Sequence, residues 1–221
     1  MPENVELILN PARTPLYRFA STLLSVLGRV LFRPRVTGTS NIPATGPVLI
    51  APVHRSNLDF MLTLFLSPRK VFFMAKAELF GVPVLGTVLR HLGAFPVNRA
   101  AADRESLRLA EEVLRRGHAL VMFPEGTRRD GPQIGEILDG AMFVASRTGA
   151  RVVPVGIAGS DRALPADSRI VRPVRIDLVI GPAIDPPTGE GRVPRSAIAA
   201  ATEQLRGGLQ SALDAARRAQ G

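Results

Sequence analysis

From Val48 onward, short apolar runs bounded by Gly or Pro alternate with segments of helical periodicity. This alternation is typical of a chain that builds a mostly parallel sheet from strand, helix and strand units. It predicts strands near 48–52, 70–74, 94–97, 118–123, 152–157 and 173–180. It predicts helices near 57–67, 78–91, 103–116, 138–148 and 195–218, with Pro83 disturbing the second of them. We therefore expect an α/β fold in which a mostly parallel central sheet is flanked by helices.

An amphipathic helix is predicted ahead of this pattern, over residues 16–32. Its apolar side carries Leu16, Phe19, Ala20, Leu23, Leu24, Leu27, Val30 and Leu31. This side could pack on the domain's own core, or it could lie in a membrane interface with arginines near the headgroup phosphates. Arg18 and Arg29 interrupt the segment, so we do not expect it to cross a bilayer. We expect residues 1–35 to form this helical segment and residues 36–221 to form one domain.

The charge of the chain narrows the classes of partner. Its 28 basic and 19 acidic residues give a formal net charge of +9, which favours nucleic acid, acidic lipid headgroups or a phosphorylated substrate. Aromatic residues make up only 5% of the chain, which argues against nucleic acid, because single-strand binders stack bases on such residues. The chain contains no cysteine, which excludes thiolate zinc sites and an acyl intermediate on cysteine. The first 13 residues show no secretory signal, so we expect a cytoplasmic protein.

His54 and Asp59 lie where the first predicted strand leads into a helix. In open α/β sheets, ligands bind beyond the carboxyl ends of strands. Residues five apart do not share a helical face, so these two side chains meet only if a turn lies between them. A turn at Arg55 and Ser56, with Ser56 as the helix N-cap, would direct the Asp59 carboxylate back towards His54. The pair could then act as a general base and its orienting partner, although Ser-x-x-Asp is also a common helix cap. No metal-ligand cluster accompanies His54.

Three further strand ends carry polar or cationic residues. The strand near 118–123 runs into Pro-Glu-Gly-Thr-Arg at 124–128, while Lys76 and Arg99 follow the strands near 70–74 and 94–97. Glu125 could accept hydrogen bonds from substrate hydroxyls, Gly126 permits close backbone approach, and the guanidinium of Arg128 suits a phosphate. The three cations could meet around one anion beside His54. The alternative for residues 124–131 is a solvated, charged turn.

Four blocks, taken in order, resemble the motifs of the glycerolipid acyltransferases, specifically the 1-acyl-glycerol-3-phosphate acyltransferase family. His54 to Asp59 is similar to the family's H-x-x-x-x-D block, and Phe123 to Arg128 to its F-P-E-G-T-R block. Gly93 to Arg99 resembles its glycine, phenylalanine and arginine block, and Val153 to Gly156 its V-P-V block. With the Gly-x-x-x-x-Pro segment from Gly38 to Pro43 included, the resemblance spans roughly residues 38 to 160. One departure is Val53, which stands where many members have asparagine.

The resemblance implies an activity and a set of site residues. It implies transfer of a fatty-acyl group from acyl-CoA or acyl carrier protein to the sn-2 hydroxyl of 1-acyl-glycerol-3-phosphate, without a cofactor or metal. This would give phosphatidic acid in phospholipid biosynthesis. His54 would be the general base and Asp59 its orienting partner. The residues assigned to substrate binding are Arg55, Ser56, Lys76, Arg99, Glu125, Gly126, Thr127 and Arg128.

The resemblance also favours the membrane-interface helix, because the acceptor and the product reside in a bilayer. We therefore expect a peripheral or monotopic protein at the cytoplasmic face of the cell membrane, attracted by anionic lipid. Related enzymes that share the H-x-x-x-x-D block could use glycerol phosphate, a lyso-aminolipid or a glycosylated lipid as acceptor. From another class, a non-catalytic binder of anionic lipid remains an alternative.

Overall fold

The computed structural model describes residues 15–67, 69–91, 93–97, 104–165, 168, 170–189 and 191–221. The strands that it contains are β1 Arg35–Thr37, β2 Val48–Pro52, β3 Val71–Lys76, β4 Ala94–Val97, β5 Ala119–Val121, β6 Arg151–Ala158 and β7 Asp177–Ile180. The helices are α1 Pro15–Phe32, α2 Asp59–Leu62, α3 Pro83–His91, α4 Arg104–Arg115, α5 Gly140–Thr148, α6 Ser160–Ala163 and α7 Arg195–Arg218. Short 3-10 helices occupy Thr39–Asn41, Thr63–Phe65 and Ala77–Gly81.

The seven strands form one sheet in the order β1-β7-β6-β2-β5-β3-β4. Every neighbouring pair is parallel except β6 and β7, which confirms the expected mostly parallel sheet. The edge strand β1 was not predicted, because three residues are too few to show an alternating pattern. The last strand is shorter than expected, since its pairing begins only at Asp177. The helix predicted over 57–67 is also divided, and only 59–62 is α-helical before the 3-10 turn at Thr63–Phe65.

The order of the strands places the helices on two faces of the sheet. The chain moves towards one edge from β2 through β3 to β4, and then reverses to β5 and β6. Because crossovers between parallel strands are right-handed, a reversal of direction places the connecting helices on opposite faces. Helices α2 and α3 therefore lie on one face, and α4 and α5 on the other. The long helix α7 packs on β6 and beside α5, so it belongs to the second face.

The core lies along the central strands. All five residues of β2 are buried, as are all three of β5, which is typical of strands covered on both faces. A strand that is apolar on both sides has no position for a polar side chain until it ends. The first polar residues after β2 and β5 therefore emerge together at the carboxyl edge of the sheet.

Helix α1 lies on the same face as α3 and contacts it. It packs on the domain through Gly28, where a Cβ atom would lie 2.7 Å from Cζ of Phe65, and through Phe32, which is 2% exposed. The Phe32 carbonyl also accepts a hydrogen bond from the Ile176 N–H at 3.0 Å. Arg33 then adopts a left-handed conformation with φ of 41°, which ends the helix and turns the chain into β1.

Most of the described apolar side chains of α1 do not pack on the core, although Leu31 does. Leu23, Leu27 and Val30 are 52%, 48% and 69% exposed. The interpretation in which these residues are buried within the domain is therefore wrong. Across the ranges given above, no helix combines the length and the hydropathy that a membrane span requires.

Candidate active site

His54 lies at the carboxyl end of the central strand β2, at the edge of the sheet where α/β proteins bind ligands. The preceding residue, Val53, is fully buried and donates its N–H to the Val155 carbonyl at 2.9 Å, which extends the pairing with β6. The chain then leaves the sheet. His54 is 7% exposed and Asp59 is completely buried.

The His54 ring is oriented by the Asp59 carboxylate. Nδ1 of His54 lies 3.0 Å from Oδ2 of Asp59. The same oxygen accepts the Arg55 and Ser56 backbone N–H groups at 2.6 and 2.7 Å. An oxygen that receives these donors acts as an acceptor, so Nδ1 carries the proton and Nε2 presents its lone pair. No described residue makes a hydrogen bond to Nε2, which is therefore free to take a proton.

The turn between the two residues differs from the predicted capping box. The helix begins at Asp59 with Leu58 as its N-cap, rather than at Ser56. The carboxylate does reach back over the turn, as predicted. The Ser56 hydroxyl, however, accepts from the Leu58 N–H at 3.3 Å and donates to the Leu164 carbonyl at 2.9 Å. Ser56 is thus fully buried and ties the turn to the segment after α6.

A buried ion pair lies on the other side of His54. Nη1 of Arg55 is 2.8 Å from each carboxylate oxygen of Glu125. Oε1 of Glu125 also accepts the His54 backbone N–H at 2.9 Å. Because Glu125 follows β5 and His54 follows β2, these bonds join the ends of two adjacent strands.

An apolar groove of about 400 Å³ opens beside the His54 ring, on the face that carries α3. Phe123 lines this groove and stacks on His54, with ring centroids 4.3 Å apart and planes inclined by 30°. The other apolar side chains in the groove include Phe60, Phe73, Met74, Leu79, Leu85 and Leu89. The groove has the chemistry to hold a hydrocarbon chain with its reactive end at His54.

Two cations lie at the same edge of the sheet. Nη1 of Arg128 is buried, and no acceptor within the described part of the chain lies at hydrogen-bond distance from it. Its neighbour Arg129 donates its backbone N–H to the His54 carbonyl at 2.9 Å, which places this loop against His54. Lys76 lines the groove, and its Nζ is exposed and lies 3.1 Å from Oε1 of Glu78. A buried guanidinium N–H without an acceptor is suited to an anionic ligand.

Glycine at position 126 is required by the conformation of this loop. Its φ is 65°, and a Cβ atom there would lie 2.8 Å from Cδ1 of Leu138. Another residue would therefore strain the backbone and displace Leu138. Among the described residues, no three His, Asp or Glu side chains are grouped closely enough to hold a metal ion.

Residues 33–158 match the family model described as Acyltransferase, which is more than half of the chain. The chain belongs to the acyltransferase family. A 1-acyl-sn-glycerol-3-phosphate acyltransferase of Pseudomonas aeruginosa is 31% identical over 183 residues, covering 81% of this chain and 68% of that protein. The chloroplastic enzyme of the same description from Arabidopsis thaliana is 28% identical over 166 residues, covering 73% of this chain and 46% of that protein.

A solved structure of the 1-acyl-sn-glycerophosphate (LPA) acyltransferase PlsC from Thermotoga maritima has the same fold as this acyltransferase. The TM-score is 0.71 with 25% identity, and the match covers 90% of this chain and 82% of that one. The chain spans about half the length of the chloroplastic and algal relatives that it matches.

The structure brings together most of the residues that the sequence indicates for an acyltransferase. His54, Asp59, Arg55, Glu125 and Lys76 lie at one edge of the sheet, with the loop that carries Gly126, Thr127 and Arg128. The Thr127 side chain is exposed. Arg99 lies outside the described residues.

Sequence reasoning missed two features of this acyltransferase. It did not identify the stacking of Phe123 on His54, and it did not identify the walls of the groove. The available signal was the run of apolar residues Phe72 to Ala75 that leads directly into Lys76. A strand whose aromatic residues lead directly to a cation of the site is a candidate wall of a groove that binds an apolar ligand.

Proposed function

We propose that this protein transfers a fatty-acyl group from an acyl thioester to the sn-2 hydroxyl of 1-acyl-glycerol-3-phosphate, giving phosphatidic acid in phospholipid biosynthesis. The observation that carries the proposal is the position of His54. His54 lines an apolar groove, and the loop that binds its carbonyl carries Arg128, whose buried Nη1 has no described acceptor. Such a site suits a reaction between a fatty chain and a phosphate-bearing alcohol. The names of the relatives support the same acceptor.

In the proposed reaction, Nε2 of His54 takes the proton of the sn-2 hydroxyl while that oxygen attacks the thioester carbonyl carbon. A tetrahedral intermediate forms and collapses, the carbon–sulfur bond breaks, and the imidazolium returns the proton to the leaving thiolate. Asp59 stabilises the imidazolium through Nδ1 and keeps the ring in place. The chain has no cysteine that could carry a thioester, and the proposed reaction transfers the acyl group directly between two bound substrates. Binding both substrates supplies the orientation that lowers the barrier.

The acceptor phosphate is assigned to the cations at the edge of the sheet. Arg128 is the principal candidate, because its buried Nη1 lacks a described partner. Lys76 and Arg99 are the further candidates, and the backbone at Gly126 and Thr127 completes this side of the site. Acyl-CoA and acyl carrier protein are both acidic thioester donors, and either suits a protein with a net charge of +9.

We assign residues 1–35 to membrane association and residues 36–221 to the acyltransferase domain. The exposed apolar side chains on the α1 and α3 face support this assignment. We refer to these side chains together as the apolar surface, which comprises Leu23, Val26, Leu27, Val30, Leu79, Val82 and Leu85. Leu79 and Leu85 also line the groove, so exposed apolar side chains reach the site. A protein bound at the cytoplasmic face of the membrane through this surface could receive its acceptor directly from the bilayer.

The proposed activity is tested with radiolabelled acyl-CoA and lysophosphatidic acid, using wild type and His54→Ala. We expect labelled phosphatidic acid from wild type and a rate lower by at least about 10²-fold from the variant, because the general base is lost. Parallel reactions with glycerol 3-phosphate and lysophosphatidylethanolamine test the acceptor. Product from one of these alone would redirect the assignment, and an unaffected His54→Ala enzyme would reject the mechanism.

A further inference from the structure

Arg55 and Glu125 form an ion pair that solvent scarcely reaches. The Arg55 side chain is 5% exposed and that of Glu125 is completely buried. Removing two charges from water is costly, and a buried pair repays this cost only with good geometry and additional hydrogen bonds. In this protein, the additional bonds go to the backbone of His54.

Both backbone polar groups of His54 are bound by this arrangement. Its N–H donates to Oε1 of Glu125 at 2.9 Å, and its carbonyl accepts from Nη1 of Arg55 at 3.1 Å. The Arg129 N–H donates to the same carbonyl at 2.9 Å. The ion pair therefore fixes where the peptide groups of the base lie, whereas Asp59 and Phe123 fix the ring.

The same contacts leave little capacity for a substrate. Oε1 of Glu125 already receives two donors and Oε2 receives one, at a residue that is 3% exposed. Nη1 of Arg55 donates to Glu125 and His54, and Nη2 lies 3.4 Å from the Gln133 carbonyl. Nε of Arg55 is buried and has no acceptor among the described residues. A substrate hydroxyl or phosphate would have to displace the bonds that are formed before it could reach the Glu125 carboxylate or the two Nη atoms of Arg55.

We infer that Arg55 and Glu125 are positioning residues that hold the backbone of the base, rather than residues that bind the acceptor. This assignment rests on the proposed function and gives both residues a role that differs from the one the family resemblance implies. It predicts that the pair acts on the turnover of bound substrates and leaves their binding unchanged. A displacement of the base by about 1 Å is sufficient to lower a rate by about 10²-fold.

The kinetic test compares Glu125→Gln, Arg55→Gln and the double variant with wild type. We expect kcat to fall about 10- to 100-fold in each single variant, with KM for acceptor and donor within twofold of wild type. The double variant leaves no buried charge unpaired, so its loss should be smaller than the product of the two single losses. The inference would be overturned if each single variant raised the acceptor KM and the rise in the double variant equalled the product of the two.

The matched control is the solvent-accessible ion pair between Glu112 on α4 and Arg116, the residue after this helix. Oε1 of Glu112 and Nε of Arg116 lie 2.8 Å apart. The same changes to glutamine there should leave kcat and KM within twofold of wild type. Thermal unfolding measures the folded fraction of every variant. If the double Arg55 and Glu125 variant does not fold, the pair maintains the fold rather than the base, and the inference is rejected.

A second readout does not depend on the identity of the substrate. In ¹⁵N–¹H spectra of the histidine side chains, we expect an Nδ1–H resonance for His54 that is protected from solvent and absent in His54→Ala. Glu125→Gln should shift or broaden this resonance, because the backbone of His54 moves relative to Asp59. An unchanged resonance would overturn the inference. A changed resonance in an enzyme that is inactive on lysophosphatidic acid would instead reject the proposed function alone.

Discussion

The two sides of His54 are built in opposite ways. On the polar side, Asp59 and Glu125 are buried, and their carboxylates accept hydrogen bonds from the backbone N–H groups of His54 and the two residues after it. On the apolar side, the groove walls include Leu79 and Leu85, each 40% exposed to solvent. The polar side is therefore held in place by hydrogen bonds within the protein, whereas the apolar side is partly exposed.

This difference matches what each side must do in an acyl transfer. The base must be held to within a fraction of an ångström of its productive position at the reacting hydroxyl, and fixed dipoles serve this purpose without reorganisation at the moment of reaction. A hydrocarbon chain makes no directional bonds, so a groove that holds it needs area and volume rather than fixed geometry. We therefore expect substitutions on the polar side to have large effects on acceptor binding and turnover. Substitutions on the apolar side should have smaller, graded effects.

The largest of the effects that would sharpen this comparison is expected at Arg128, on the polar side. Arg128→Gln should raise the acceptor KM about 10- to 100-fold, because a hydrogen bond to a charged group contributes about 1.5–3 kcal/mol. The donor KM should not change. Steady-state kinetics with lysophosphatidic acid measure both constants. Arg129→Gln is the matched control, since its exposed side chain is adjacent and only its backbone contacts His54. Equal losses in the two variants would mean that net charge, and not Arg128, holds the acceptor.

Much of the polar side was predictable from the sequence, for a physical reason. Buried parallel strands such as β2 and β5 are apolar throughout, so the polar residues that follow them stand out and must meet at one edge of the sheet. What these residues do there was less predictable. The pairing of Arg55 with Glu125 joins residues 70 positions apart, and no local pattern distinguishes a carboxylate that binds its own backbone from one that binds a substrate.

The apolar side was harder to predict, because helical periodicity reports that one side of a helix is apolar but not what covers it. For α1, the pattern was compatible with burial in the core and with membrane contact. In the structure, Gly28, Leu31 and Phe32 contact the domain, whereas Leu23, Leu27 and Val30 are exposed. The short strand β1 and the 3-10 turn after α2 were missed because tertiary pairing, rather than local periodicity, determines such short elements.

An intermediate effect is expected on the apolar surface at Leu23. Burying a whole leucine side chain contributes about 1.5–3 kcal/mol. Leu23 is 52% exposed, so roughly half of its surface is available for burial in a membrane. Leu23→Asp should therefore weaken binding to anionic liposomes about tenfold, measured by co-sedimentation, and adding Leu27→Asp and Val30→Asp should abolish it. Deletion of residues 1–33 is a poorer test, because it also removes Phe32 from the core.

The matched control for this surface is Thr22→Asp, which introduces the same charge at the neighbouring exposed position. It should weaken liposome binding much less than Leu23→Asp, because only the leucine belongs to the apolar stripe. Equal weakening by the two variants would show that charge repulsion from the lipid, and not burial of the stripe, accounts for the result.

The smallest effect is expected within the groove, and it should depend on the length of the acyl chain. Leu85→Trp places a larger side chain in the groove wall, at a position exposed enough to accept it without disturbing the core. Each methylene that no longer fits loses about 0.8 kcal/mol, or about fourfold in kcat/KM. Long-chain donors should therefore lose a few-fold in kcat/KM while short-chain donors keep the wild-type value.

Val82→Trp, at an exposed position that does not line the groove, should leave the chain-length profile unchanged. A loss that is uniform across chain lengths would mean that the donor's hydrocarbon lies elsewhere, and that the open side of His54 serves the acceptor.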